Sequence, residues 1–200
     1  MLMLLVGAVP LLADDQAKKA VSLFNGKDLS GWVIMHDGEW AVEDGAIVGR
    51  KGVKWTTNPK VSGSWLRSAK EYDNFVFEFE YAINEKGNSG VFLRSGLDEN
   101  PAFTGHEMQI LDDHERVKEP QVWSTGALYD VVAAKKNLSK PAGQWNTVRI
   151  ETDGPRIRIS LNGEEIVDHK SDRRTKGYLG LQNHDEKAVV KFRNLHIIEK

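Results

Sequence analysis

The sequence predicts an all-β protein, a jelly-roll sandwich of two antiparallel sheets, on three observations. Many short runs alternate apolar and polar residues with period two. Turn signals such as Asn25-Gly26, Asp44-Gly45 and Asn162-Gly163 separate about a dozen such runs at spacings of roughly 8 to 12 residues. No helical period extends beyond a turn or two, and no internal repeat suggests a propeller.

Taken in order, residues 1–13 (MLMLLVGAVPLLA) are uncharged and apolar and give way abruptly to Asp14-Asp15. This resembles the core of a secretory signal peptide with Ala13 before the cut, and it is too short to span a bilayer. The alternatives are an uncleaved anchor and a buried N-terminal strand. No cysteine follows it, which argues against a lipoprotein; the expected location is periplasmic or secreted, with no membrane insertion of the mature chain. A short polar segment, residues 14–19, fits a helical turn.

Residues 20–200 are expected to form one domain. Residues 22–24, 32–35, 39–42 and 46–48 open it as a meander of short strands, and residues 51–63 read as a surface loop carrying Trp55. The clearest strand is 74–83, where Phe75, Phe77, Phe79 and Tyr81 face one way and Val76, Glu78 and Glu80 the other. The pattern returns in Val148 and Ile150, in 157–161 and 164–168 around the Asn162-Gly163 turn, and in 178–182 and 188–198.

With 27 basic against 29 acidic side chains and a pI near 6.3, no global field favours nucleic acid. The absence of cysteine removes disulfides, thiolate metal sites and Cys nucleophiles. Phosphate-binding loops, a Gly-x-Ser-x-Gly elbow, His-Glu-x-x-His and EF-hand patterns are also missing.

Chemistry concentrates in residues 87–113. In GHEMQILD, residues 105–112, Met108 and Ile110 mark the core side together with His106, so Glu107 and Gln109 face outward. A one-residue bulge near Ile110-Leu111 would bring Asp112 into the same row. Two carboxylates flanking an amide suit acid/base work, against the alternative of an idle exposed face. Arg94 alternates onto the face of Phe92, where its guanidinium would hold a carboxylate or a substrate oxygen, or simply form a structural ion pair. His184 ends the run 177–184 and suits proton transfer near neutrality. Asn88 and Gln182 are candidate substrate contacts; Trp55, Trp65, Trp123 and Tyr129 are candidate stacking platforms or core aromatics. His36, His114, His169 and His196 have no supporting context and read as structural. No cofactor is expected. A divalent cation at Asp112, Asp113 and His114 is the one metal option, although three consecutive strand residues cannot all face one ion.

Residues 23–32 (LFNGKDLSGW), 87–95, 105–113, Thr125-Gly126-Ala127-Leu128-Tyr129, Gly143-Gln144-Trp145-Asn146, and 177–183 with Phe192-Arg193-Asn194 occur in the order seen in the 3-keto-disaccharide hydrolase family, which the chain resembles across residues 20–200. The resemblance implies a concanavalin A-like, laminarinase-like jelly roll, export, and a carbohydrate substrate whose C3 hydroxyl has been oxidised to a ketone. Such a glycoside is cleaved by C2 proton abstraction, elimination at C1 and hydration. That scheme suggests Glu107 and His184 for the proton transfers, Arg94 and Gln109 for the oxyanion, and Asp112 as a second carboxylate. The spacing Glu107-x-Gln109-x-x-Asp112 also resembles the Glu-x-Asp-x-x-Glu row of laminarinase-like retaining glycosidases, with shortened or neutral substitutes at two positions. The remaining alternative is a glycan-binding module without catalysis.

Overall fold

The computed structural model describes residues 19–54 and 63–200. The apolar residues 1–13, nearly all of the polar segment after them, and Trp55 lie outside the described residues. Thirteen strands, numbered along the chain, form two antiparallel sheets. The larger runs in the order β11 (Glu164–Lys170), β10 (Arg156–Leu161), β9 (Asn146–Asp153), β6 (Phe75–Ile83), β13 (Val190–Glu199), β4 (Ala46–Arg50) and β3 (Glu39–Glu43), with β1 (Val21–Ser22) added beside β13. The smaller runs β2 (Trp32–Met35), β5 (Ser64–Tyr72), β12 (Gly177–Asn183), β7 (Asn88–Ser95) and β8 (His106–Leu111). This is the jelly-roll sandwich expected from the alternation. No helix among the described residues is long and apolar enough to cross a membrane.

Period-two patterning explains the packing. On β6, Phe75, Phe77, Phe79 and Tyr81 are sealed in the core while Glu78 points to solvent, and Val148, Ile150, Ile157, Ile159 and Leu161 continue the same inner layer on β9 and β10. The facing layer comes from Leu66, Val91, Leu93, Met108, Ile110, Leu179 and Leu181 of the smaller sheet. Each fully buried side chain of this size contributes on the order of 1.5–3 kcal/mol.

β5 did not show in the alternation, and its pairing explains why. Opposite β12, Tyr178 meets Glu71 and Gly180 meets Arg67, so β5 carries two extra residues across from Leu179. Its period is broken at Ser68–Lys70, and Ser68 Oγ turns inward to accept from the Leu179 N–H at 3.1 Å. The loop between β7 and β8 contains one helical turn, α1 (Pro101–Thr104), capped by Asn100, whose side chain accepts from the Ala102 N–H.

Candidate active site

The outer face of the smaller sheet carries a second apolar layer, Trp65, Phe92 and Ala102, with polar groups set into it. β7 and β8 pair without interruption from Asn88 opposite Leu111 to Leu93 opposite His106. Met108 and Ile110 therefore face the core, and Glu107 and Gln109 face outward. Glu107 leans across Gly90: a Cβ on that glycine would sit 1.9 Å from Glu107 Oε1. A glycine inside a strand is the sequence signal of such a close approach. Beneath, Trp65 and Phe92 meet edge to face at 5.4 Å, and Gly180 leaves room for the indole.

Two loops raise walls around this floor. Residues 124–132 lie along the edge of β8, with the Tyr129 N–H donating to Glu107 O at 2.8 Å and the Gln109 N–H to Ala127 O at 3.0 Å. That contact sets Tyr129 beside Glu107. On the other side α1 presents Phe103, whose ring lies 6.2 Å from that of Tyr129. The result is a cavity of about 160 Å³ enclosing Glu107, Gln109, Gln182, Asn88 and His184.

Glu107 is 3% exposed, and among the described residues it is the one carboxyl lining this cavity. Burial pushes its pKa up to about 8, against a smaller opposing effect from the Gln182 amide. Glu107 is consequently largely protonated at neutral pH. His184 Nδ1 lies 2.9 Å from Asp185 Oδ2; a carboxylate only accepts, so Nδ1 carries the hydrogen, and in the neutral ring Nε2 is the acceptor. Burial raises the Asp185 pKa, but the His184 ring and the Lys187 and Ala188 amides outweigh it and hold Asp185 below the usual carboxylate value. Gln109 Oε1 accepts from the Ile110 N–H at 3.2 Å, so its amino group is available to a ligand. Asn88 Oδ1 and Gln182 Oε1 are buried with no partner among the described residues. Unpartnered buried oxygens are costly, and at a cavity they point to a polar ligand carrying donors.

Arg94, expected at this site, is elsewhere. Between Phe92 and Ser95 β7 has one more residue than the opposing stretch of β12, and Arg94 adopts φ 54°. The bulge reverses its direction. Sealed at 1% exposure, its guanidinium donates to Asp73 O, Gly154 O and Asn74 Oδ1 at 2.8, 2.7 and 3.0 Å. It ties β7 to the β5–β6 connection between the sheets and to the β9–β10 turn of the larger one. Asp112 also departs from expectation, because the uninterrupted β7–β8 register contains no bulge. Its carboxylate accepts from the Lys86 N–H and pairs with Arg116 at 3.2 Å. Trp65 lies at 1% exposure in the floor and offers no open face for stacking. Asp112, Asp113 and His114 diverge: Asp113 accepts from the Thr125 N–H and the Asn137 amide, while His114 Nδ1 engages Ser139 O. Among the described residues no cluster of three metal-ligating side chains forms. Trp123 stands 49% exposed in an adjoining groove that shares Asn88 and His184 with the cavity. Gly90, Asn100, Phe103 and Asp185 are contributors that the alternation pattern did not single out; Gly90, a glycine inside a strand, and Asp185, directly after His184, are the two with a signal in the sequence.

Comparison with known proteins agrees with this architecture. Residues 19–198 match the family described as the 3-keto-alpha-glucoside-1,2-lyase-like domain. A 3-keto-disaccharide hydrolase of Bacteroides thetaiotaomicron is 25% identical over 168 residues, 74% of this chain; the match spans only 58% of that relative's length. A candidate glycosyl hydrolase from Parabacteroides distasonis superposes with a TM-score of 0.75 at 27% identity, over 90% of this chain and 94% of the other. A prokaryotic β-1,3-1,4-glucanase from a mouse hindgut metagenome, at 10% identity and TM-score 0.57, covers 90% of this chain and 98% of its own and shares the fold.

Proposed function

Because the chain belongs to the 3-keto-alpha-glucoside-1,2-lyase-like domain family, we propose that it cleaves glycosides whose C3 hydroxyl has already been oxidised to a ketone. The observation that carries this is one cavity holding a protonated, buried Glu107 together with an imidazole oriented by Asp185. An elimination needs one group to take a proton and another to give one.

In the proposed reaction His184 Nε2 takes the C2 proton, acidified by the neighbouring ketone. The C–H electron pair passes into an enolate whose oxygen receives hydrogen bonds from amide donors, foremost Gln109, without Arg94, which was expected to share that role and lies outside the cavity. The enolate pair then forms the C1–C2 double bond as the C1–O bond breaks, and Glu107 gives its proton to the departing oxygen. Water adds at C1 while C2 regains a proton, so the net outcome is hydrolysis. Release before that addition makes the same site a lyase.

A two-carboxylate retaining mechanism has less support. It needs a nucleophile and an acid roughly 5–5.5 Å apart, and Asp112 is engaged with Lys86 and Arg116 outside the cavity. Export, proposed from the apolar residues 1–13, is testable by sequencing the N-terminus of the periplasmic or secreted form.

Turnover of a 3-keto-glucoside in heavy water tests the chemistry. We expect deuterium at C2 of recovered substrate or product, with cleavage reduced about 10²–10⁴-fold in Glu107→Gln and in His184→Ala. Cleavage without C2 exchange and indifferent to both substitutions would remove the mechanism. Sugar binding without any turnover would instead support a glycan-binding module.

A further inference from the structure

The wall that α1 forms over the Glu107 cavity is held by a segment distant in the chain. The Arg173 guanidinium donates from Nη1 to Ala102 O and to Gly105 O, both at 3.2 Å. Carbonyls at the end of a single helical turn have no partner within it. Ala102 packs on the Trp65–Phe92 floor, and Asn100 and Phe103 line the cavity beside it. The remaining side-chain bonds close the loop on the end of its own strand: Ser95 Oγ donates to Pro101 O at 2.8 Å and the Gly96 N–H to Thr104 Oγ1 at 3.0 Å. Among the described residues, the hydrogen bonds that tie α1 to anything beyond the β7–β8 hairpin come from Arg173.

Arg173 belongs to residues 171–174, which also seal His106. The ring is 1% exposed, with Nε2 at 2.7 Å from Ser171 Oγ, and Ser171 Oγ accepts from the Arg173 N–H at 3.1 Å. Nδ1 is buried with no partner among the described residues. A protonated imidazole carries hydrogen on both nitrogens, so protonation here sets an unpaired N–H and a full charge in a dry site. The surroundings oppose that charge. Arg173 from the same segment, Arg94 from β7 and His169 from β11 repel it, and Asp172, which attracts it, is exposed. Burial, reinforced by these cations, lowers the pKa of His106 from 6.5 to about 4.

We propose that residues 171–174 latch α1 over the Glu107 cavity through Arg173, and that protonation of His106 releases the latch. A proton shifts this equilibrium because it binds the released form better. Moving residues 171–174 outward admits water to the ring and separates it from Arg173. The same movement withdraws the guanidinium from Ala102 O and Gly105 O, so one proton frees both the ring and the wall. With the ring in water its ordinary value of 6.5 applies, and with the latch closed about 4. Closure therefore weakens as pH falls below about 6.5 and levels off near 4. Arg173 is a positioning residue for the wall and touches no reacting group. Neither the latch nor its release depends on which reaction the cavity performs.

Amide hydrogen exchange, followed against pH and corrected for the intrinsic chemical rate, tests the latch without turnover. The amides of Phe103, Thr104 and Gly105, bonded to Asn100 O and Pro101 O, are expected to lose protection between pH 7 and pH 4 by up to about tenfold per pH unit. Those of β6 should keep theirs. In His106→Gln the dependence on pH should vanish. In Arg173→Gln protection should be low already at pH 7, and the His106 ring, followed by NMR, should titrate at a higher pH than in the unchanged protein. The ring titration of the unchanged protein needs no variant to fold: a value well below 6.5, with α1 losing protection over the same range, upholds the latch. A ring that titrates near 6.5 would overturn it. So would α1 protection that is flat across this range, that falls equally in His106→Gln, or that falls in step with β6 as the whole chain unfolds.

Discussion

The outer faces of the two sheets dispose of charge in opposite ways. On the larger sheet, Arg149 meets Glu78 at 2.7 Å, Arg193 meets Glu80 at 2.7 Å, and Arg156 grips Asp168 through two bonds, all in contact with water. On the smaller sheet Glu107 is sealed with no cation beside it. Charges in pairs at a wet surface cost little and contribute little, whereas a carboxyl kept dry and unpaired must stay protonated. Arg94 sharpens the contrast, because it is buried as deeply as Glu107 but has three oxygen acceptors around its guanidinium. Burial alone does not mark a reactive group; burial without a counter-charge, facing a cavity, does.

The largest expected effect is on pH dependence. The folded pKa of Glu107, about 8, lies above its ordinary value of 4.5, so the folded chain holds this proton more tightly than the unfolded one. Its contribution to stability is full below about 4.5 and is lost as pH rises through about 8, a change of order a few kcal/mol. Denaturation midpoints measured across that window should fall with pH, and Glu107→Gln should flatten the decline. In the active protein, kcat/KM should fall above about 8 as the acid is lost. A slope unchanged in the variant would place the titrating group elsewhere.

A smaller effect is expected at Gly90. A methyl group there collides with Glu107 Oε1 and should cost about 1–3 kcal/mol in stability. It should also push the carboxyl from its position and lower kcat more than it raises KM. Gly90→Ala with unchanged kinetics would show that the carboxyl has a second, equally good place. Least of all should follow from Arg149→Ala on the larger sheet, which removes the pair with Glu78. Loss of at most about 1 kcal/mol in thermal or chemical unfolding is expected, with activity retained. A larger loss would mean that the outer ion pairs do more than cover a solvated face.

The legible parts of the fold were those in which one strand face is wet. β6, β9 and β10 announce themselves because the alternation of Phe75 to Tyr81 or Ile157 to Leu161 records two different environments. β5 did not, since its first residues, Ser64 to Leu66, are dry on both faces and its later course is bulged opposite Leu179. The same reason separates the candidate residues that share the cavity from those that lie elsewhere. Glu107 and Gln109 follow from counting along the unbroken β7–β8 ladder. Arg94 fails at a bulge that is present, and Asp112 fails at a bulge that is absent.

The sequence by itself determined the all-β class, the inner face of most strands and the outward direction of Glu107, because side-chain period is a local property of extended chain. Only the tertiary structure decided what surrounds that carboxyl. Residues 124–132 and α1 wall it in, and Gly90 gives it room. Those are contacts between segments distant in the chain, or turns of a bulge that adds one residue to a ladder, and no periodicity along a single strand encodes them.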